Sequence, residues 1–168
     1  MKMKKMKTQK LALLAMMIAL TTVGTLFLRI PGLVPNGYVN FGDMFLMFTG
    51  LLLGPAAGFT AGSFGSALAD IVSGYAIYAP ITFFVKGLEG FVCGWIYKKM
   101  NQKYAVLATL TGGVLMVFGY FIGEIILYSV GAATADIFGN TLQGIANALL
   151  AVLLNRSLSG ILKKMISI

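Results

Sequence analysis

Residues 44–69 read MFLMFTGLLLGPAAGFTAGSFGSALA, an uncharged run of 26 residues that is interrupted once, at Gly54-Pro55. A helix needs about 20 apolar residues to cross roughly 30 Å of hydrocarbon. The run therefore fits either one long transmembrane helix or a hairpin of two shorter helices that turns at Gly54-Pro55. The side of the membrane on which every later loop lies depends on this choice.

The composition of the whole chain is that of a membrane protein. Of the 168 residues, 58% are apolar and 11% are charged, against about 45–50% and about 25% in soluble domains. The net charge of +8 does not indicate a nucleic-acid partner, because the basic residues form short clusters beside apolar runs rather than a basic face. The sequence has no histidine and one cysteine, Cys93, so histidine metal sites and an intramolecular disulfide are excluded.

The positions of lysine and arginine decide between one span and two in residues 44–69. Cytoplasmic loops of membrane proteins carry an excess of these residues, and five lysines between residues 2 and 10 place the N-terminus in the cytoplasm. A single span would put Lys98, Lys99 and Lys103 outside. Two helices keep them inside, and eleven of the thirteen basic residues then lie on the cytoplasmic side.

The sequence therefore predicts an all-α integral membrane protein, a single bundle of six transmembrane helices with both termini in the cytoplasm. The predicted spans are 11–28, 42–54, 56–74, 80–97, 104–128 and 137–154. The first resembles a signal peptide, but it is long for one and further apolar runs follow, so a retained helix is favoured. Arg29 to Tyr38 contains two prolines and two glycines and is predicted to be a loop.

Small residues recur at intervals of four in helices three and one. Helix three carries two such rows, Gly54, Gly58, Gly62, Ser66 and Ala57, Ala61, Gly65, Ala69. Because small residues let helix backbones approach closely in lipid, we interpret both rows as packing surfaces inside the bundle. Helix one carries Ala15 and Ala19, and for this pair internal packing and docking of another membrane protein are open alternatives.

Three of the predicted helices carry polar faces at a similar depth. These are Thr82, Lys86, Glu89 and Cys93 in helix four, Tyr120, Glu124 and Tyr128 in helix five, and Asn140, Gln143 and Asn147 in helix six. The helical rise places Lys86 about 9 Å and Glu89 about 13 Å from the outer end of helix four. Ionisable groups at this depth cost about 3 kcal/mol or more unless they pair or face water. Either the faces line a cavity for a small polar ring compound, or Lys86 and Glu89 neutralise each other and clamp the helices.

The candidate ligand-binding residues are polar or aromatic residues of the predicted outer half. They are Asn40, Asp43, Asp70, Tyr75, Tyr78, Lys86, Glu89, Tyr120, Glu124, Gln143 and Asn147. The sequence has no Gly-x-x-x-x-Gly-Lys-[Ser/Thr] loop, no His-Glu-x-x-His motif and no Gly-x-Ser-x-Gly elbow, which argues against ATP hydrolysis and against a membrane protease or lipase. We therefore expect no enzyme activity, no metal and no cofactor in this chain.

Several strings in helices three and four are shared with a known family. They are GSFGSALAD at residues 62–70, Tyr78-Ala79-Pro80, and KGLEG at residues 86–90. With the six-helix layout, the cytoplasmic lysines and Ala15-xxx-Ala19, the chain resembles the substrate-binding S-components of bacterial energy-coupling factor (ECF) vitamin transporters. It is most similar to the branch associated with pyridoxine-type and hydroxymethylpyrimidine-type substrates.

The resemblance implies a function and a set of partners. An S-component captures a small water-soluble vitamin or precursor at the outer face of the bacterial cell membrane. Uptake is driven by partner subunits, a transmembrane coupling protein and two cytoplasmic ATPases. Helix one would dock on the coupling protein through Ala15 and Ala19, the whole subunit would topple in the membrane to carry the ligand inward, and residues 29–43 would act as a lid.

Two other classes of function are alternatives. A stand-alone secondary transporter or channel would use protons through Glu89 or Glu124 and would need no ATPase. Many such transporters have paired halves with broken helices, and this sequence shows no convincing similarity between its halves. A membrane enzyme or scaffold protein ranks lower, because the sequence offers no nucleophile-base pair and no metal cluster.

Overall fold

The computed structural model describes the backbone of residues 2–27, 29–31 and 38–166, and the side chains of residues 8–27 and 39–166. Within these residues six helices follow one another, α1 Lys2–Phe27, α2 Gly42–Leu53, α3 Pro55–Val72, α4 Ala79–Lys99, α5 Ala105–Leu127 and α6 Val130–Met165. Two short strands, β1 Arg29–Pro31 and β2 Tyr38–Asn40, pair antiparallel between α1 and α2. We call the end of the bundle that carries β1 and β2 the hairpin end, and the opposite end, with the α4–α5 turn, the lysine end.

Four helices in the described part of the chain are long and apolar enough to cross a membrane. They are α1 from Thr8 onward, α4, α5 and α6, which indicates a multi-pass membrane protein. The 12 residues of α2 extend over only about 18 Å, less than the hydrocarbon thickness of a bilayer. That all six helices are transmembrane, and that both termini are cytoplasmic, stay predictions.

The interruption at Gly54-Pro55 separates two helices, as predicted from the positions of the lysines. α2 ends at Leu53 and α3 begins at Pro55. Gly54 has a φ of 96°, a conformation that residues with a side chain rarely adopt. Pro55 occupies the first helical position, where its missing N–H removes no helical hydrogen bond.

Helix bounds differ most from the predicted ones at the two ends of the chain. α1 begins at Lys2 rather than at residue 11, and α6 covers 130–165 rather than 137–154. An apolar window stops at charged residues, whereas lysine and arginine continue a helix readily, which accounts for residues 2–10 and 155–165. The extension of α6 over 130–136 includes the charged Asp136. The predicted loop at 29–38 carries a strand at each end. Residues 28 and 32–37 lie outside the described residues.

Both rows of small residues contribute to helix packing, as predicted, except that Gly54 precedes α3 and a Cβ atom there would meet no atom within 4 Å. A Cβ atom on Gly58 would overlap the backbone of Gly90, and one on Gly62 would overlap the backbone of Lys86. This row therefore brings α3 and α4 into backbone contact. The other row faces α1, where Thr22 Oγ1 donates a hydrogen bond to the carbonyl oxygen of Gly65 at 2.9 Å.

The short helix α2 lies at the centre of the bundle. Leu46, Met47 and Phe48 are at most 1% exposed and pack into one apolar cluster with residues of α1, α4, α5 and α6. Asp43, in the first turn of the same helix, is also fully buried. The position of α2 therefore brings a carboxyl group into the interior of the bundle, between α4 and α6.

Candidate ligand-binding site

A buried lysine, Lys86 of α4, is the centre of a polar network inside the bundle. Its Nζ atom lies 2.6 Å from Asp43 Oδ2 and 3.3 Å from Glu89 Oε2, and all three side chains are at most 2% exposed. The same Nζ atom lies 5.3 Å from the centre of the Tyr120 ring. The shorter ion pair joins Lys86 to Asp43 of α2. The predicted pair of Lys86 with Glu89 is present, but its N–O distance is longer and Lys86 serves both acids.

Two amide side chains of α6 extend this network to β2 and to the start of α2. Gln143 Nε2 donates to Asp43 Oδ2 at 2.7 Å, and Gln143 Oε1 accepts from the backbone N–H of Asn40 at 3.0 Å. Asn147 Nδ2 donates to the carbonyl oxygen of Asn40 at 2.8 Å, and Asn147 Oδ1 accepts from the N–H of Met44 at 3.0 Å. These bonds hold the end of β2 and the first turn of α2 against α6.

A second group of polar residues lies closer to the hairpin end. Glu124 of α5 is 5% exposed and interacts with Asp136 and Asn140 of α6. The rings of Tyr78 and Tyr128 lie beside it, with centres 5.9 Å apart and planes tilted by 42°. Burial, and then the contact with Tyr128, raises the pKa of Tyr78 above its ordinary value, so its hydroxyl stays protonated. We call these five residues the Glu124 cluster.

Thr82 and Tyr120 connect the Glu124 cluster with the network around Lys86. Their hydroxyl oxygens lie 3.1 Å apart, and the Tyr120 ring reaches Lys86. Along α4, Tyr78 and Glu89 are about 16 Å apart by the helical rise. The network, this connecting pair and the Glu124 cluster therefore form one continuous arrangement of polar groups from the hairpin end into the interior, which we call the polar column.

All of the predicted binding residues except Asp70 and Tyr75 belong to the polar column. Asp70 and Tyr75 lie at the end of α3, where the N–H of Tyr75 donates to the carbonyl oxygen of Asp70 at 2.8 Å. Their role in ligand binding stays a prediction, as does that of every other member of the set. The structure places Asp70 and Tyr75 at the hairpin end of the bundle, where α3 ends and α4 begins.

The polar column also contains four residues outside the predicted binding set. Thr82, Tyr128 and Asn140 belong to the predicted polar faces, whereas Asp136 belongs to neither predicted set. Asp136 falls outside the predicted sixth span, which begins at residue 137, whereas α6 begins at Val130. The spacing of four residues between Asp136 and Asn140 places both on one helix face. That spacing is the signal in the sequence that identifies Asp136 as a neighbour of Glu124.

The alanine pair of α1 lies on the outer surface of the bundle. Ala15 and Ala19 are exposed, whereas Leu13 and Met17 of the same helix are buried. The pair therefore does not serve packing within this chain. It presents a small-residue surface to lipid or to another membrane protein.

An apolar cavity of about 480 Å³ lies between α5 and α6, apart from the polar column. Its walls include Val114, Phe118, Ile137 and Ile145, all of which are also exposed on the surface of the bundle. Thr141 contributes the only hydroxyl among the residues that line it. The cavity suits hydrocarbon rather than a polar ligand, so we do not assign it to the candidate site.

Comparisons with known proteins identify one family and two relatives. Residues 5–159 match the model of the family described as ECF-type riboflavin transporter, S component. The chain is 39% identical over 146 residues to a protein of Pyrococcus woesei described as an uncharacterized protein in gap 3'region, with 86% of this chain and 95% of that protein covered. It is 32% identical over 150 residues to the thiamine precursor transporter HmpT of Lactococcus lactis subsp. cremoris, with 88% of this chain and 86% of that protein covered.

Proposed function

This chain belongs to the ECF-type riboflavin transporter S component family, and we propose that it is the subunit that binds a small water-soluble vitamin precursor for uptake. Members of this family are transport proteins rather than enzymes. The family description names riboflavin, whereas the relative from Lactococcus lactis is described as a thiamine precursor transporter. We propose a ligand of the smaller kind, a hydroxymethylpyrimidine or a pyridoxine-type ring.

The polar column is the observation that carries this proposal. Charged and amide side chains from α2, α4, α5 and α6 converge in a bundle that also contains a cluster of buried apolar residues. Ligand sites commonly combine apolar and aromatic walls with a few oriented polar groups. The rings of Tyr78, Tyr120 and Tyr128 provide surfaces on which a heterocycle can stack, and the neighbouring carboxyl, hydroxyl and amide groups can bind its nitrogens and hydroxyls.

The lysines indicate which end of the bundle faces the cytoplasm. Lys98, Lys99 and Lys103 lie at the end of α4 and in the turn after it, and Lys163 Nζ donates to Gln102 Oε1 of that turn at 2.8 Å. By the positive-inside rule the lysine end is cytoplasmic in our proposal, and the hairpin end faces outward. The polar column then begins at the outer face of a bacterial cell membrane, where a ligand arrives.

The energy for uptake is proposed to come from partner subunits, a transmembrane coupling protein and two cytoplasmic ATPases. Exposure of Ala15 and Ala19 on α1 supports docking of the coupling protein on this helix, because small side chains allow close approach of another helix. The proposed lid, residues 29–43, lies partly outside the described residues. Its described part is bound to α6 through Asn40, so a ligand that contacts Gln143 or Asn147 acts on the lid directly.

Reconstitution in liposomes tests this function. We expect the purified chain alone to bind radiolabelled hydroxymethylpyrimidine or pyridoxine without transporting it. Uptake should require the coupling protein, both ATPases and ATP on the side of the lysine end, with liposomes that lack this chain as the control. Uptake by the chain alone, driven by a proton gradient, would instead identify a secondary transporter.

A further inference from the structure

The apolar cavity between α5 and α6 is a groove that opens on the outer surface of the bundle. It has a volume of about 480 Å³, and its walls come from residues 110–121 of α5 and 137–145 of α6. The helical rise gives the α5 wall a length of about 16 Å. Val114 and Phe118 of this wall are exposed, so the groove faces whatever surrounds the bundle in the membrane.

Two glycines form the floor of this groove. A Cβ atom on Gly113 would lie 3.3 Å from Cα of Gly144, and both glycines line the cavity. Apolar chains fill such a space by close contact, and in a membrane the acyl chains of lipids are the nearest. Because all lipid tails are similarly apolar, the groove alone does not select one lipid. Selection requires a contact with the lipid headgroup.

The charges of the lysine end provide such a contact. Every basic residue after position 97 lies at this end, and none of them forms an ion pair within the part of the chain that the structure describes. They are Lys98, Lys99, Lys103, Arg156, Lys163 and Lys164. The acids Glu124 and Asp136, in contrast, lie near the hairpin end of α5 and α6. An anionic headgroup is therefore attracted to the lysine end of these two helices and repelled at the other.

Arg156 of α6 lies in line with the groove. It follows Ile145, a residue of the groove wall, by 11 positions, which is about three helical turns and places both side chains on one face of the helix. The guanidinium side chain is exposed. The two residues are about 16 Å apart along the helix, close to the thickness of one leaflet, which is half of roughly 30 Å. A lipid with its headgroup at Arg156 thus reaches the groove with its acyl chain.

We propose that this groove binds an anionic phospholipid, with the phosphate on Arg156 and one acyl chain between α5 and α6. The planar guanidinium group forms two parallel hydrogen bonds with a phosphate. Lys103, which precedes α5 at the same end, attracts the net negative charge that a zwitterionic lipid lacks. In the proposed orientation the lipid belongs to the cytoplasmic leaflet.

A helix of another protein fits this groove less well than a lipid. Helices approach each other closely in a membrane where their side chains are small. The walls of the groove carry Val114, Phe118 and Ile145, whereas the exposed small residues Ala15 and Ala19 lie on α1.

Fluorescence quenching by brominated lipids tests this site. The chain has a single tryptophan, Trp95, so Trp95→Phe removes the native signal, and Ile145→Trp then places a reporter at the groove. Leu88→Trp on α4 is the matched control. Ile145 and Leu88 are 48% and 45% exposed, and each precedes a basic residue by 11 positions, Arg156 and Lys99 respectively.

The reporters are compared in lipid nanodiscs of phosphatidylcholine and phosphatidylglycerol with identical acyl chains, of which one or the other is brominated. At Ile145→Trp we expect phosphatidylglycerol to associate about fivefold more strongly than phosphatidylcholine, the factor that one basic residue provides at a membrane surface. The ratio should be clearly smaller at Leu88→Trp, where no groove retains the chain. Arg156→Gln should reduce the ratio at Ile145→Trp to that of the control.

Three results would overturn the proposal. Equal ratios at the two reporters would mean that the charge of the lysine end acts without the groove. An unchanged ratio in Arg156→Gln would remove the assigned headgroup contact. Absence of quenching by both lipids at Ile145→Trp would mean that a second copy of the chain covers the groove. If Ile145→Trp does not fold, native mass spectrometry of the unmodified chain and Arg156→Gln decides, and retention of phosphatidylcholine as readily as phosphatidylglycerol by the unmodified chain would contradict the site.

Discussion

Replacing Lys86 by methionine removes the charge at the centre of the polar column and keeps a side chain of similar length. The ammonium group lies 2.6 Å from Asp43 Oδ2 and 3.3 Å from Glu89 Oε2. Without it, two fully buried carboxyl groups face each other with no cation between them. Lys86→Met should therefore destabilise the folded protein strongly, whatever its effect on ligand binding.

The size of the loss follows from the number of groups that depend on Lys86. Removal of one partner of a buried ion pair costs about 3–5 kcal/mol, and because one ammonium serves two carboxyl groups we expect the upper part of this range. A loss of about 1 kcal/mol lowers the melting temperature of a chain of this size by about 2–4 °C. The variant should therefore melt about 8–20 °C lower, since about 4–5 kcal/mol is lost.

Neutralising the two acids as well should reverse most of the loss. In the triple variant Asp43→Asn, Lys86→Met, Glu89→Gln no buried charge remains in the network, and such replacements are often neutral or stabilising. The amide oxygen introduced at position 43 could still accept from Gln143 Nε2, which donates to Asp43 Oδ2 at 2.7 Å in the unmodified chain.

Thermal and denaturant unfolding of the ligand-free chain in nanodiscs provides the measurement. Lys98→Met, at the exposed end of α4, is the matched control and should change stability by less than about 0.5 kcal/mol. A loss below about 1 kcal/mol in Lys86→Met, or a triple variant no more stable than the single one, would refute the reasoning from buried charge.

Three further predictions concern packing, docking and orientation. Gly90→Ala should lower the free energy of unfolding by about 1–3 kcal/mol, because its Cβ would overlap the backbone of Gly58. Gly160→Ala is the control: its Cβ would meet no atom within 4 Å, and it should stabilise α6 by up to about 1 kcal/mol. Equal effects of the two variants in unfolding titrations would contradict the α3–α4 contact. Ala15→Trp should abolish uptake with the coupling protein and leave ligand affinity unchanged, and a parallel loss of both would mean that Ala15 acts within this chain. A cysteine at position 101, in a chain whose Cys93 is replaced, should not react with membrane-impermeant thiol reagents added outside cells. Labelling from outside would contradict the proposed orientation of the bundle.

Much of the helix order could be predicted because its signals are local in sequence. Gly54-Pro55 marks a backbone break, and the lysines after residue 97 favour two helices on either side of it by the positive-inside rule. The polar face of α4 follows from the three- and four-residue spacings of Thr82, Lys86, Glu89 and Cys93, and all four are buried. These features depend on helix geometry and charge alone.

The partner of Lys86 could not be derived in this way. Glu89, one helical turn away, is the neighbour that helix geometry predicts, yet the shorter pair is with Asp43, which is 43 residues distant. This pairing exists because α2 lies at the centre of the bundle and points its first turn between α4 and α6. The central position of a 12-residue helix is a result of tertiary packing, for which a single sequence carries no local signal.

The central claim, that the polar column binds the ligand, is tested most directly by an experimental structure of this chain with 4-amino-5-hydroxymethyl-2-methylpyrimidine bound. The ring should stack on Tyr78, Tyr120 or Tyr128, with its polar groups within hydrogen-bond distance of side chains of the polar column. A ligand bound in the apolar cavity between α5 and α6, or at the lysine end of the bundle, would contradict the claim.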